Sequence, residues 1–175
     1  MDAASGGETI PGLDNARVER TSERELVVTR SINASARIVF EAWTKPELFE
    51  RWWVPKSFPL SLLSCELDVR VGGGYRLVFG HEGSTMEFFG RYLDVTPHSR
   101  LVWTNDEGDE GGPITTVTFE ETGDRTLLVV HELYPSKEAL DHAIASRSTG
   151  ISAMPEALEQ LDELLGSLGA SEGGP

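Results

Sequence analysis

The sequence predicts an α+β fold in which a curved antiparallel sheet of six or seven strands wraps around one long C-terminal helix, with two short helices after the first strand. Three observations carry this expectation. Turn-forming residues punctuate short β-rich runs from residue 61 to residue 134, the spacing of an antiparallel meander. Leu140, Ile144, Ile151, Met154, Leu158, Leu161, Leu165 and Leu168 recur at steps of three, four or seven, which draws one apolar stripe along a helix. Four tryptophans, Trp43, Trp52, Trp53 and Trp103, put bulky rings on several elements facing that helix. Together they describe a hollow that a small apolar molecule could fill.

Each element has its own local warrant. Residues 25–32 (ELVVTRSI) are short and β-rich, a first strand. Asn33 and Ser35 offer N-cap oxygens to a helical run with Ile38, Val39, Ala42 and Trp43 on one side. Pro46 stops that run and suits the first turn of a second helix, PELFERWW. Pro55 and Pro59 bracket a loop. Residues 61–70 read as a strand ended by Gly72, Gly73 and Gly74, which can adopt positive φ in a turn. Tyr75, Leu77 and Phe79 alternate with Arg76 and Val78 in the next. The turn Gly80-His81-Glu82-Gly83 leads into residues 85–95, and Thr96-Pro97-His98-Ser99 into 101–104. An acidic, Gly-rich loop over 106–112 precedes a final pair, 114–121 and 126–134. Pro135 and Ser136 open the helical region, in which Gly150 and Pro155 predict a kink or break near 150–155. The small, polar residues 1–22 and 169–175 are expected to be disordered tails, leaving 23–168 as one domain.

Composition narrows the function classes. A chain of 175 residues can bury roughly 70% of its unfolded surface, so stability requires neither metal nor disulfide. The formal charge is −14, with 29 acidic against 15 basic side chains, a field that opposes binding to nucleic acid or an anionic membrane. Cys65, the single cysteine, cannot form an intramolecular disulfide. Its neighbours Leu62, Leu63, Glu66, Leu67 and Asp68 suit a buried inert thiol rather than a nucleophile. The start, MDAASGGETIPG, lacks the basic and apolar regions of a signal peptide, and no run approaches 18 apolar residues. A cytoplasmic location is expected. The four histidines, His81, His98, His131 and His142, show no zinc-type spacing, so neither metal nor cofactor is expected.

The stretches ELVVTRSINASARIVFEAWTKPELFERWW, CELDVRVGGGY, FFGRYLDVTPHSRLVWTN, TTVTFEE and EALEQLDELL resemble a known family. It is the domain homologous to the C-terminal part of the activator of the heat-shock protein 90 ATPase. That family lies within the START-like superfamily, whose helix-grip fold is that of the birch-pollen allergen. The resemblance covers about residues 24–166 and implies an internal cavity between sheet and long helix. It implies little about chemistry, because the superfamily includes lipid carriers, polyketide cyclases, resistance proteins and co-chaperone modules. Members often carry Gly-Met and a later Trp in the last helix, where this chain has Thr149-Gly150 and Met154, with Pro155 a further departure.

The expected cavity lining is Trp53, Phe58, Tyr75, Phe79, Trp103, Ile151, Met154 and Leu158, with Tyr75 and Glu132 as the polar groups that orient a ligand. Core packing is the competing reading of each. Trp52 and Trp53 point about 100° apart on a helix, so one packs inward and the other nearer the cavity mouth. Leu128 and Val130 match inward positions of the family, which places Glu132 with them and His131 outside. A buried glutamate without a cation has a raised pKa. No residue is assigned a catalytic role. The leading expectation is a cytosolic binding protein for a small apolar or aromatic molecule. The alternatives are an enzyme of cyclase or hydrolase type acting on such a ligand, and a chaperone-regulating protein-interaction module. The expected partner is a small hydrophobic ligand, with a homodimer allowed.

Overall fold

The computed structural model describes residues 8–9, 17–106, 112–146 and 149–172, and the side chains of 17–106, 112–145 and 154–168. In chain order the elements are β1 (Glu8–Thr9), β2 (Arg17–Arg20), β3 (Glu25–Ile32), α1 (Ala36–Thr44), α2 (Pro46–Phe49), β4 (Ser61–Leu67), β5 (Gly74–His81), β6 (Ser84–Thr96), β7 (Arg100–Thr104), β8 (Ile114–Thr122), β9 (Arg125–Leu133), α3 (Lys137–Ser146) and α4 (Thr149–Glu172). The strands form one antiparallel sheet in the order β1-β2-β3-β9-β8-β7-β6-β5-β4. Successive hairpins build the run from β4 to β9, and β9 then pairs with β3, bringing the two ends of the domain together. This is the helix-grip α+β fold.

Among the described residues the sheet has eight strands of at least four residues, plus the two-residue β1, against the six or seven predicted. The added strand is β2. Arg17–Arg20, expected within a disordered tail over 1–22, pairs with β3 in the register Val18 to Val28. Its sequence RVER carries one inward apolar residue, Val18, which is buried. Ladder hydrogen bonds and an Arg20–Asp141 ion pair of 2.7 Å hold the rest, and composition registers neither. Residues 1–7, 10–16 and 173–175 of the expected tails lie outside the described residues. Backbone of the expected C-terminal tail continues α4 as far as Glu172.

The helical elements also correct the expectation. Ser35, not Asn33, caps α1, its hydroxyl accepting from the Ile38 N–H; α2 covers only PELF. The long apolar stripe runs over two described helical spans, Lys137–Ser146 and Thr149–Glu172, with residues 147–148 outside the described residues, and the helix does not break at Pro155. Pro155 sits inside α4 as its seventh residue. The ring removes one i→i−4 hydrogen bond, which costs about 3 kcal/mol in a helix interior. Its neighbours Met154, Ala157 and Leu158 are buried, so packing of this face outweighs the local propensity.

The core lies between the inner face of the sheet and α4. Leu140, Leu158, Leu161, Leu101, Leu128 and Ile32 are fully buried there. One polar tie fastens α4 to the sheet: the Asp162 carboxylate accepts from Arg30 Nη2 at 3.2 Å and from the Asn33 N–H at 2.9 Å. No helix among the described residues is long and apolar enough to cross a membrane.

Candidate functional site: an aromatic cavity with one polar wall

A cavity of about 240 Å³ opens between the sheet, the α1–α2 corner and α4. Trp43, Phe49 and Trp53 come from the corner, Tyr75, Leu77 and Phe79 from β5, Tyr92 from β6, Trp103 from β7, and Met154 with Ala157 from α4. Period-two alternation puts Tyr75, Leu77 and Phe79 on one face, as expected. Gly90 makes room for this arrangement. It pairs with Tyr75 across β5 and β6, and a Cβ there would lie 2.0 Å from the Thr104 carbonyl oxygen.

The two adjacent tryptophans divide as geometry requires. Trp52 is fully buried, its Nε1–H donating to the Ala42 carbonyl at 3.0 Å. Trp53 lines the cavity, stacked on Phe49 at 4.6 Å between ring centroids. Trp43 meets Trp53 edge-on at 5.9 Å. Its own Nε1–H is buried and has no hydrogen-bond partner.

Of the expected lining residues, Trp53, Phe58, Tyr75, Phe79, Trp103, Glu132 and Met154 come together around the cavity. Leu158 does not. It is fully buried in the core beneath α4, and its neighbour Ala157 takes the cavity-facing position. One step along a helix rotates a side chain by about 100°, enough to separate core from cavity. The side chain of Ile151 lies outside the described residues.

One wall is polar, and most of it was missed from the sequence. Strand register aligns Tyr92, Trp103, Thr115 and Glu132 across β6, β7, β8 and β9. Tyr75 Oη lies 2.8 Å from the Thr104 carbonyl and 3.1 Å from Asn105 Oδ1. Asn105 Nδ2 donates to the Pro113 carbonyl at 2.6 Å and to Thr115 Oγ1 at 3.0 Å. Thr115 in turn pairs with Glu132 across β8 and β9, and Tyr134 Oη donates to Glu132 Oε1 at 2.8 Å. Asn105, Thr115 and Tyr134 thus link the two polar groups that the sequence did single out. Their signal is the cross-strand pairing, which no residue-by-residue reading contains.

Burial holds the Glu132 carboxyl above its ordinary value of 4.5, against the opposing pull of Tyr134, His131 and Thr115. Tyr134 is raised too, by burial and by the Glu132 charge. His131 points to the other face, as expected, where its Nε2 lies 2.8 Å from Glu25 Oε2. Cys65 is half-buried, and burial with the charges of Glu50 and Glu66 pushes its thiol up to about 12, a poor nucleophile near neutrality. Among the described residues no group of three or more His, Cys, Asp or Glu is placed to hold a metal ion.

The raised Glu132 carboxyl has a consequence for stability. The folded protein keeps this proton longer than the unfolded chain does. The associated stability is complete below about pH 4.5 and is lost as pH rises through the folded value. Glu132→Gln cannot ionise, so it is expected to melt above the parent protein near about pH 8 and to lose that advantage near about pH 4. Thermal melts at both pH values check this; a difference that ignores pH refutes it.

The family model for Activator of Hsp90 ATPase homolog 1-like protein matches residues 33–166. A crystal structure of a protein from Rhodobacter sphaeroides is 25% identical, with 87% of this chain and 99% of that one covered and a TM-score of 0.77. One from Nitrosomonas europaea is 25% identical, covering 85% and 98%, with a TM-score of 0.73. The solution structure of an AHSA1-like protein from Aeromonas hydrophila shares the fold at 18% identity, covering 82% and 94%, with a TM-score of 0.64. No curated protein matches the chain.

Proposed function

The chain belongs to the family of Activator of Hsp90 ATPase homolog 1-like proteins, and from that premise we propose that it is a cytoplasmic binding protein for a small apolar or aromatic molecule. The observation that carries this reading is the cavity of about 240 Å³ walled by aromatic side chains with a few convergent polar groups. Each ligand methylene buried there contributes about 0.8 kcal/mol, so a modest ring system reaches micromolar affinity without an ion pair.

Access runs between α4 and the loop after α2. Val54, Pro55 and Phe58 of that loop line the cavity opposite Met154. Gln160 latches the loop to α4, its Nε2 donating to the carbonyls of Trp52 and Val54 at 3.0 Å each, and its Oε1 accepting from the Lys56 N–H at 2.8 Å. Ser57 bonds Glu156 one turn away. Parting these bonds lets a ligand reach the aromatic rings.

Titration with a panel of aromatic and acyl compounds, followed by intrinsic fluorescence and melting temperature, tests the reading. Trp43, Trp53 and Trp103 all line the cavity, so an occupant is expected to quench emission and raise the melting temperature. If no compound moves either signal, the binding reading fails. The chaperone-regulating module that the family's description suggests then becomes the better account.

A further inference from the structure

We propose that the cavity selects an apolar amine, its ring system seated among the aromatic side chains and its ammonium group held at Glu132. The proposal rests on the binding reading above and specifies the chemistry of the ligand.

Charge decides against the alternatives. The ionisable groups among the described lining residues are Glu132 and the tyrosines Tyr75, Tyr92 and Tyr134. Among the described lining residues there is no lysine, arginine or histidine to neutralise a ligand carboxylate or phosphate, and an ionised Glu132 would repel one. The formal charge of −14 also draws cations and repels anions in solution.

Glu132 is a half-buried carboxyl that accepts from the Tyr134 hydroxyl, and no cation stands among the described residues that line the cavity with it. His131, the nearest candidate in the chain, faces away and is engaged by Glu25. An ionised carboxylate offers about four lone-pair sites, so sites remain to accept from an ammonium. The rings beside it suit the same guest. Tyr75, Tyr92 and Trp103 lie within 6.0–6.3 Å of one another. Trp103 is two strands from Glu132 in register, about 10 Å across the sheet. A ligand spanning that gap places its cation between carboxylate and aromatic rings, an arrangement favourable to both.

Binding is then coupled to protons. An arriving ammonium favours the ionised carboxylate and so opposes the burial that raises Glu132; where the free carboxyl is protonated, binding releases that proton to solvent. Amine affinity therefore rises with pH through the range in which free Glu132 titrates, while a neutral analogue shows no such rise. The groups around Glu132 leave it as the source of that dependence. Among the described residues β8 contributes Thr115, β5, β6 and the segment after β9 contribute the tyrosines Tyr75, Tyr92 and Tyr134, and α4 contributes the non-titrating Met154 and Ala157. His131 and Glu25 pair with each other on the far face.

The test uses the full chain and three probes with one ring body: naphthalenemethylamine, naphthalenemethanol and naphthalenecarboxylic acid, followed by calorimetry. The amine is expected to bind roughly tenfold or more tighter than the alcohol, with the acid weakest. In Glu132→Gln the amine's advantage is expected to vanish while the alcohol still binds. An alcohol that binds as tightly as the amine to the parent protein overturns the proposal and leaves the binding reading standing. So does an amine preference that survives in Glu132→Gln. If none of the three binds, the binding reading and this proposal fall together.

Discussion

Leu158→Asp is expected to unfold the domain, whereas Glu159→Ala is expected to leave its melting temperature within a degree or two of the parent's. Leu158 is fully buried between α4 and the sheet, and its neighbour Glu159, about 100° further round the helix, is exposed. An aspartate at 158 would bury a carboxylate with no cation to pair it, in a space shaped for a branched apolar side chain. That costs several kcal/mol, against a whole-domain stability of about 5–15 kcal/mol. Loss of the leucine's own burial adds about 2 kcal/mol or more. At 159 the substitution exchanges one solvated side chain for another that favours helix slightly more. Circular-dichroism melts of the two variants decide the matter; equal melting temperatures would refute the face assigned to α4.

The second large effect is expected at the polar tie between that helix and β3. Arg30 points inward from β3, its side chain only 9% exposed, and Asp162 of α4 is its ion-pair partner at 3.2 Å. Arg30 Nε and Nη1 are buried without hydrogen-bond partners, so this carboxylate is the main compensation for the buried charge. Asp162→Ala would strand the guanidinium and also remove the acceptor of the Asn33 N–H. Breaking a buried pair in this way costs about 3–5 kcal/mol. Asp162 is itself 23% exposed, so the lower figure is the better expectation. For a domain of this size that corresponds to a fall of roughly 6–12 °C in melting temperature. Adding Arg30→Met to the same protein is expected to recover most of the loss, because removing both charges leaves no buried charge unpaired and the exposed Asn33 N–H can turn to water. Denaturant melts of the single and double variants form the check. A single variant as stable as the parent would mean that Arg30 is already solvated.

These two expectations draw on different kinds of information. The burial of Leu158 follows from period alone, since leucines three and four positions apart must share one face of a helix. The Arg30–Asp162 pair joins residues 132 positions apart and has no local signature.

The same division runs through the cavity. Period two along β5 places Tyr75 and Phe79 on one face, and turn residues mark the hairpins, because both are dictated by backbone geometry within a few residues. The family resemblance supplied the phase of β9 and hence the inward direction of Glu132, which its apolar residues on both faces did not supply. The angle of about 100° between Trp52 and Trp53 already put one ring in the core and one at the cavity, with Trp53 the expected lining residue, but only the tertiary structure decided that Ala157 rather than Leu158 meets the cavity. That choice turns on the rotation of a helix against a particular sheet. Tertiary structure also decided that Asn105, Thr115 and Tyr134 connect Tyr75 to Glu132, because cross-strand register sets which hydroxyl meets which carboxylate. Local sequence thus determined the elements and most of their inward faces. The polar wall, the β2 edge and the uninterrupted passage of α4 through Pro155 arose from packing between distant segments, whose combined energy overrides any single residue's preference.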